Sequence, residues 1–316
     1  MPKLVSLVIP AYNSADYINH ILDDLRLQTY DAMELVVIDD GSEDGTEGVV
    51  RRAIGLDPRI KLLSQDHRGV SAARNTGLAN CSGDYIGFLD ADDRADPRYV
   101  ELMVNKMSDE KTALAVCGWD RGTNSEGMIP QPAGACAARA LLEDGAFFTP
   151  LWNKLFARTV IFSNSGFTAF DEALAIGEDE EWAARVLLCC ETYAVVPEVL
   201  YHWLPREDSA SAYLNSLNAR ALTEVHAKRN VYGYFSQRED LEPPARRRYI
   251  WSMRALLVEG YRADREQPAY QELLSEYMAA TEKVQGGGLT LVKSRAIGLL
   301  ISCNAPLKLI EWVGSL

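Results

Sequence analysis

The first 120 residues alternate short apolar runs with segments of helical period, and few folds accept that pattern. Leu4 to Ile9 is an apolar run that stops at Pro10. Ala15 to Leu27 follows, with Tyr17, Ile18, Ile21, Leu22 and Leu25 at helical spacing. Leu35 to Ile38, Ile60 to Leu63, Tyr85 to Leu89 and Ala113 to Cys117 read as four more strands. Thr46 to Ala53, Val70 to Ala79 and Pro97 to Met107 read as the helices between them. Such alternation predicts βαβ units, which place mostly parallel strands in one sheet with helices on both faces. The expected fold class is α/β.

After residue 117 the pattern weakens. The stretch 118–150, rich in Gly, Pro and Ala, is expected to be irregular. Glu178 to Cys190 reads as a helix and Tyr193 to Tyr201 as one or two late strands. From about Leu217 the period is helical: Leu217 to Phe235, Arg246 to Tyr261 and Tyr270 to Val284. Gly286, Gly287 and Gly288 form a flexible joint, and Leu289 to Leu316 reads as a helical pair broken near Pro306. The expected division is a domain over 1–216 and a helical extension over 217–316.

Charge follows that division. The net charge is -13. Residues 217–316 hold 14 Lys and Arg against 11 Asp and Glu, while the first 216 hold 18 against 34. An acidic front half argues against a nucleic-acid partner, because phosphate affinity needs clustered cations. It suits a site for divalent metal. None of the six cysteines has C-x-x-C spacing, so reduced thiols in a cytosolic protein are expected rather than zinc or dithiol redox chemistry. Met1-Pro2-Lys3 leads straight into the first strand, which predicts no leader peptide, and no apolar stretch reaches bilayer-spanning length.

The polar residues fall at strand ends. The first strand runs into Pro10-Ala11-Tyr12-Asn13, the second into Asp39-Asp40 and the fourth into Asp90-Ala91-Asp92-Asp93. In an open parallel sheet, ligands bind outside the carboxyl ends of the strands. Five carboxylates gathered on one rim would be costly without a counter-charge. A bound cation supplies one, and Asp90 and Asp92, two positions apart near a strand end, would present oxygen donors to the same side. The plainer alternative is that these are solvated loop aspartates that cap the next helix.

The motifs in order are Val8-Ile9-Pro10-Ala11-Tyr12-Asn13, Val37-Ile38-Asp39-Asp40-Gly41-Ser42 with Asp44 and Thr46, Gly69 to Gly77 around Arg74-Asn75, Gly83 to Asp93, Trp152-Asn153-Lys154-Leu155-Phe156 and Gly177-Glu178-Asp179. Across roughly residues 4–205 the chain resembles a family-2 glycosyltransferase of the GT-A fold. The resemblance implies inverting transfer of a sugar from a nucleotide diphosphate, a UDP-sugar above all, to a hydroxyl of a saccharide or lipid-linked acceptor. Pro10, Ala11, Tyr12 and Asn13 would belong to the donor site, with Ala11 and Tyr12 lining the nucleoside pocket. Asp39 would accept from the base N–H, Asp40 would sit toward the ribose, and Arg74 would brace the acidic rim and the diphosphate. Asp92 would be the principal ligand of Mn²⁺ or Mg²⁺, with Asp90 and Ala91 beside it.

Asp179 would be the base that deprotonates the acceptor, ionised at neutral pH as an ordinary aspartate is. Glu178 and Glu180 would then complement the helix N-terminus. The pattern departs from the family at Tyr201-His202-Trp203-Leu204, where Leu204 stands in place of an expected arginine and Arg206 is a candidate substitute. His202 is a candidate third metal ligand or a packed histidine; His20, His67 and His226 receive no role. The tail's Arg246-Arg247-Arg248, Trp251, Trp312 and Ile297-Leu299-Leu300-Ile301 suit either an ordinary helical bundle or peripheral contact with a membrane's inner face. A catalytically inactive nucleotide-binding module would lack the late carboxylate. A sugar-nucleotide pyrophosphorylase would carry a Gly-rich basic loop after the first strand.

Overall fold

The computed structural model describes residues 2–107, 112–122, 126–131, 136–144, 147, 150–164, 166–206, 219–263, 268–282, 294, 296–298 and 301. Two compact units divide the chain: Met1–Glu172 with Glu178–Pro205, and Ala173–Gly177 with Arg206–Leu316.

The first unit is built on one eight-stranded sheet. Its first half follows the sequence pattern: β1 (Val5–Ala11), α1 (Ile18–Arg26), β2 (Met33–Asp39), α2 (Thr46–Ile54), β3 (Ile60–Ser64), α3 (Val70–Asn80) and β4 (Tyr85–Phe88). β1, β2 and β4 are buried on both faces, as the crossover helices of a parallel sheet require, so their sequences run apolar without alternation. Each fully buried Val, Leu or Ile here contributes roughly 1.5–3 kcal/mol. α3 lies so close to the sheet that a Cβ on Gly77 would stand 2.3 Å from a Val8 methyl, so only glycine fits.

The remaining elements are β5 (Arg94–Ala95), α4 (Tyr99–Lys106), β6 (Leu114–Asp120), α5 (Ala137–Glu143), β7 (Lys154–Ala157), α6 (Arg158–Ile161), β8 (Phe162–Ser163), β9 (Gly166–Phe167), α7 (Glu178–Leu187) and β10 (Ala194–His202). The sheet order is β3-β2-β1-β4-β7-β6-β10-β5, with β8 and β9 a separate hairpin. β7 is antiparallel to both β4 and β6, and β5 is antiparallel to β10; the other pairs are parallel. β1, β2, β4, β6 and β10 therefore point their carboxyl ends at one rim. The chain winds from β1 toward β3 on one side and continues from β4 on the other, which opens a crevice beside the end of β1.

Two expectations need correction. Residues 118–150 are not wholly irregular, since α5 buries Ala137, Ala138, Ala140, Leu141 and Leu142. β7 has no counterpart among the expected strands. The late strand is the single β10, whose register with β6 shifts between Val196 and Tyr201, around Pro197, which has no N–H to donate.

The second unit contains α8 (Ala219–Phe235), α9 (Glu242–Ala263) and α10 (Pro268–Glu282). Tyr249, Met253, Leu257, Leu273 and Tyr277 share its core with Ile297 and Ile301. α9 starts four residues earlier than its period predicts, because Pro243 and Pro244 sit in the first turn, where no intrahelical N–H is needed. Arg229 Nε donates to Glu276 Oε1 at 2.9 Å, tying α8 to α10. Ser209, Ser211, Gly286 to Gly288, Leu299, Leu300, Pro306 and Trp312 lie outside the described residues.

Candidate active site

The site grows from the rim. Ala11, the last residue of β1, pairs with Asp39, the last of β2, and the Asp40 N–H donates to Ala11 O at 2.9 Å. Beyond them Asn13 takes a left-handed backbone, φ 45°, a conformation asparagine tolerates better than most residues. Its N–H donates to Ser42 Oγ at 2.9 Å, and its side-chain oxygen accepts from Glu43 N at 2.9 Å. Asn13 thus fastens the β1 and β2 loops together. Tyr12 projects beside it, 46% exposed. Its ring stacks on His67, with centroids 4.0 Å apart.

Asp39 and Asp40 are both buried but differ in what they hold. Asp39 Oδ1 accepts from Ser42 N at 3.1 Å, and no described residue engages its second oxygen. Asp40 Oδ1 accepts from Gln65 Nε2 and Arg68 N, and Oδ2 accepts from Gly69 N and meets His67 Nδ1 at 2.8 Å. The expected place of Asp40 toward the ribose is thus joined by a structural role. Its carboxylate is filled by the 65–69 loop, which it folds over the end of β2. His67, given no role from sequence, is held by Asp40 and stacked on Tyr12.

At the end of β4 the strand alternation stops at Phe88, and Asp90 to Asp93 form a turn closed by Asp93 N to Asp90 O at 3.4 Å. Asp93 points inward, where its carboxylate accepts from Tyr201 Oη and from Leu204 N, both at 2.8 Å. Burial, then repulsion from Asp90, pushes the Asp93 carboxyl up to about 8. The Leu204 backbone thus locks the turn to the end of β10, so this position holds the turn without an arginine. Arg206 belongs to the second unit.

Asp90 faces the rim, and Arg74, buried on α3, approaches its Oδ1 at 3.5 Å. The same guanidinium donates from Nη1 to Glu178 Oε1 at 2.8 Å and lies over the Phe170 ring. Arg74 therefore lies against the rim, with Glu178 its closest partner. Glu178 stands in the first turn of α7 and also holds Arg74. Asp179, next to it, accepts from Glu180 N through Oδ1 at 2.7 Å, while no described residue engages its Oδ2. Burial, then the Glu178 charge, raises the Asp179 carboxyl to about 7 against the pull of Arg74. Sequence alone suggests an ordinary aspartate here; its surroundings set it higher. Asn75 clamps backbone, pairing with both Phe170 N and Phe170 O, a role invisible in its motif.

The rim fits a divalent cation. Burial is the largest influence raising the Asp90 carboxyl to about 6; Arg74 opposes it, and Asp92 and Glu178 add to it. One guanidinium is thus set among more carboxylates than it can neutralise. Asp90 and Asp92 are hard oxygen donors, and a cation such as Mg²⁺ typically takes one or two protein carboxylates together with substrate phosphates. Among the described residues no three His, Cys, Asp or Glu side chains form a ready cage. His202, the candidate third ligand, has its Nδ1 2.8 Å from Asp120 Oδ1 at the neighbouring ends of β10 and β6.

The model of the family described as Glycosyl transferase family 2 matches residues 6–169. The chain belongs to that family. Among curated family-2 relatives, the putative glycosyltransferase EpsH of Bacillus subtilis is 31% identical over 208 residues, 63% of this chain and 60% of that protein. Glycosyltransferase GlyA of Streptococcus pneumoniae is 29% identical over 240 residues, 71% of this chain and 34% of that protein. The chain thus spans less than two thirds of either relative. Staphylococcus aureus TarS 1–349, solved with UDP-GlcNAc, superposes with a TM-score of 0.72 at 17% identity, covering 98% of this chain and 90% of that one. The mannosyltransferase PcManGT of Pyrobaculum calidifontis, solved with GDP-Man and Mn²⁺, superposes at 0.60 with 18% identity, covering 99% and 84%. At such identities the likeness establishes the shared GT-A fold. The chain is a family-2 glycosyltransferase of that fold.

Proposed function

We propose that the chain transfers a sugar with inversion from a UDP-sugar to a hydroxyl of a saccharide or lipid-linked saccharide, with Mn²⁺ or Mg²⁺ assisting. The domain that does this is 1–216, extended by 217–316. One observation carries the reading: of two adjacent carboxylates at the start of α7, Glu178 is taken by Arg74 while Asp179 keeps an unengaged oxygen.

The donor end is supported by Ala11, Tyr12 and the open oxygen of Asp39, which suits a ring N–H of uracil. A UDP-GlcNAc complex of TarS favours the same donor class for that protein. Bound by Asp92 and Asp90, the cation would neutralise charge that develops on the leaving diphosphate. Arg74 keeps Asp90 and Glu178 in place while that charge develops. Asp179 accepts the acceptor's hydroxyl proton, the oxygen bonds to the anomeric carbon, and the bond from that carbon to the diphosphate oxygen breaks. A base poised near 7 suits this step, and the transfer rate should rise with pH through about 7.

Asp179→Asn should lower single-turnover transfer by about 10²–10⁴-fold with donor binding retained. Glu178→Gln should cost less and should loosen Arg74 instead. The reverse order would give the base role to Glu178, and two near-normal variants would sink direct displacement at this site.

For location, the proposal is the cytoplasm, at the inner face of a membrane. No helix of the described residues is long and apolar enough to cross one. Arg246 is tied to Glu242, whereas Arg247 and Trp251 are exposed one turn apart on α9, a pairing that suits an anionic surface. Loss of salt-sensitive sedimentation with anionic vesicles in Trp251→Ala would support this; equal sedimentation of both chains would count against it.

A further inference from the structure

Tyr12 and His67 lie against each other beside the end of β1, although neither is buried: Tyr12 is 46% exposed and the His67 side chain 52%. Their ring centroids are 4.0 Å apart and their planes are 21° from parallel. A stack between rings on two loops persists where both loops are fixed, and both are fixed here. Asn13, next to Tyr12, ties its loop to Ser42 and Glu43. His67 Nδ1 lies 2.8 Å from Asp40 Oδ2 and 3.1 Å from Asp40 O. Both oxygens are acceptors, so Nδ1 carries a proton, and the ring cannot turn over without losing them. Gly41 has φ +72°, and a Cβ on it would stand 2.7 Å from His67 N, so the His67 backbone is seated on a position that only glycine fills. The loop itself does not need the imidazole, because Asp40 already accepts from Gln65 Nε2, Arg68 N and Gly69 N.

We propose that His67 is a positioning residue of the donor site: its ring backs that of Tyr12 and holds it as a flat platform for the base of the nucleotide. This rests on the donor's nucleoside lying at the ends of β1 and β2.

With one face of Tyr12 covered by His67, its exposed surface is the other face and the edge. Ala11, the residue before Tyr12, pairs with Asp39, whose second oxygen no described residue engages. A planar base with a ring N–H would present its edge to that oxygen and its face to the tyrosine, and uracil is such a base. An aromatic neighbour strengthens a stack by about two- to tenfold in affinity. A tyrosine that is already held also loses less freedom when the ligand arrives. His67 acts through Tyr12, so its effect belongs to the base and leaves the diphosphate untouched.

The test titrates the full chain with UDP and, as a probe without a base, with inorganic pyrophosphate, both in Mn²⁺. His67→Ala should weaken UDP by about two- to tenfold and leave pyrophosphate unchanged. The donor KM should rise by the same factor, while the rate at saturating donor changes less. His67→Phe, which keeps a flat ring without the Asp40 contact, should recover most of the loss. In a Tyr12→Ala background, His67→Ala should change UDP affinity by less than about twofold, since no ring is left to back. UDP binding that is unchanged or tighter in His67→Ala, equal weakening of pyrophosphate, or additive losses in the double variant would overturn the proposal. Should His67→Ala not fold, the wild-type chain carries the test by NMR. The His67 ring protons, assigned by their absence in His67→Phe, should keep the shift imposed by the Tyr12 ring when UDP binds. Loss of that shift would mean that the base displaces His67, and would overturn the proposal. A wild-type chain that binds pyrophosphate but no tighter with uridine attached would overturn the placing of the nucleoside, and the role of His67 with it.

Discussion

The two ends of the central sheet treat buried carboxylates in opposite ways. At the amino end, Glu34 of β2 is buried and saturated: Ser6 Oγ, Ser82 N and Ser82 Oγ donate to Oε1, and Lys61 pairs with Oε2. Burial alone would raise its carboxyl, but these donors outweigh burial and bring it down to about 2. At the carboxyl end, Asp90, Asp93 and Asp179 are pushed up to about 6, 8 and 7 by burial and by neighbouring carboxylates. The same residue class in one sheet is therefore a finished structural joint at one end and an unneutralised cluster at the other. Unmet charge costs stability unless something else meets it. In the proposed mechanism a divalent cation bound with the donor would meet that charge.

The largest effect that could break this contrast is on activity. Asp92→Ala should cut transfer by about 10²–10³-fold and abolish the response to added Mn²⁺, as removal of one element of transition-state charge stabilisation does. Unchanged, EDTA-resistant turnover would remove the cation from the mechanism. The amino end should answer in stability instead. Glu34→Ala leaves buried Ser6 and the Ser82 N–H without their acceptor, and should cost about 1–3 kcal/mol in denaturant unfolding. Its donor affinity should match wild type; a weakened donor site would erase the distinction between the two ends.

The smallest effect is a pH slope. A carboxyl raised in the folded state contributes stability that is full below the unfolded value and is lost as pH rises through the folded one. For Asp93 that window runs from about 4 to about 8. Asp93→Asn should therefore flatten the decline in melting temperature between pH 5 and pH 8, measured without metal. Glu34 has the opposite sign, so its contribution is lost as pH falls from about 4.5 toward 2. A melting temperature that declines equally steeply across pH 5–8 in Asp93→Asn and wild type would clear Asp93 of this role.

Much of the fold was legible because buried parallel strands read as unbroken apolar runs. β1 to β4 and the helices between them stand within three residues of where the period puts them. β7 was not legible, since four residues, Lys-Leu-Phe-Ala, carry no period, and their strand character comes from β4 and β6 pairing on either side. At the site, residue types were legible and partners were not. Asp39 and Asp40 look alike in sequence, yet of the two carboxylates only that of Asp40 meets the donors of residues 65–69. Glu178 and Asp179 are told apart by Arg74, 104 positions from Glu178, and the stack of Tyr12 on His67 joins two loops separated by α1, β2, α2 and β3. Lys154 sat inside a recognised motif, but nothing local says that its ammonium is buried.

The most direct test of the central claim is release of nucleoside diphosphate by the full-length wild-type chain. It would be measured across a panel of UDP-, GDP- and dTDP-sugars, with and without Mn²⁺ and with saccharide acceptors present. The expected result is acceptor-stimulated release of UDP that needs the divalent ion and disappears in Asp179→Asn. Release that ignores the metal, or no release from any UDP-sugar alongside turnover of another donor class, would contradict it.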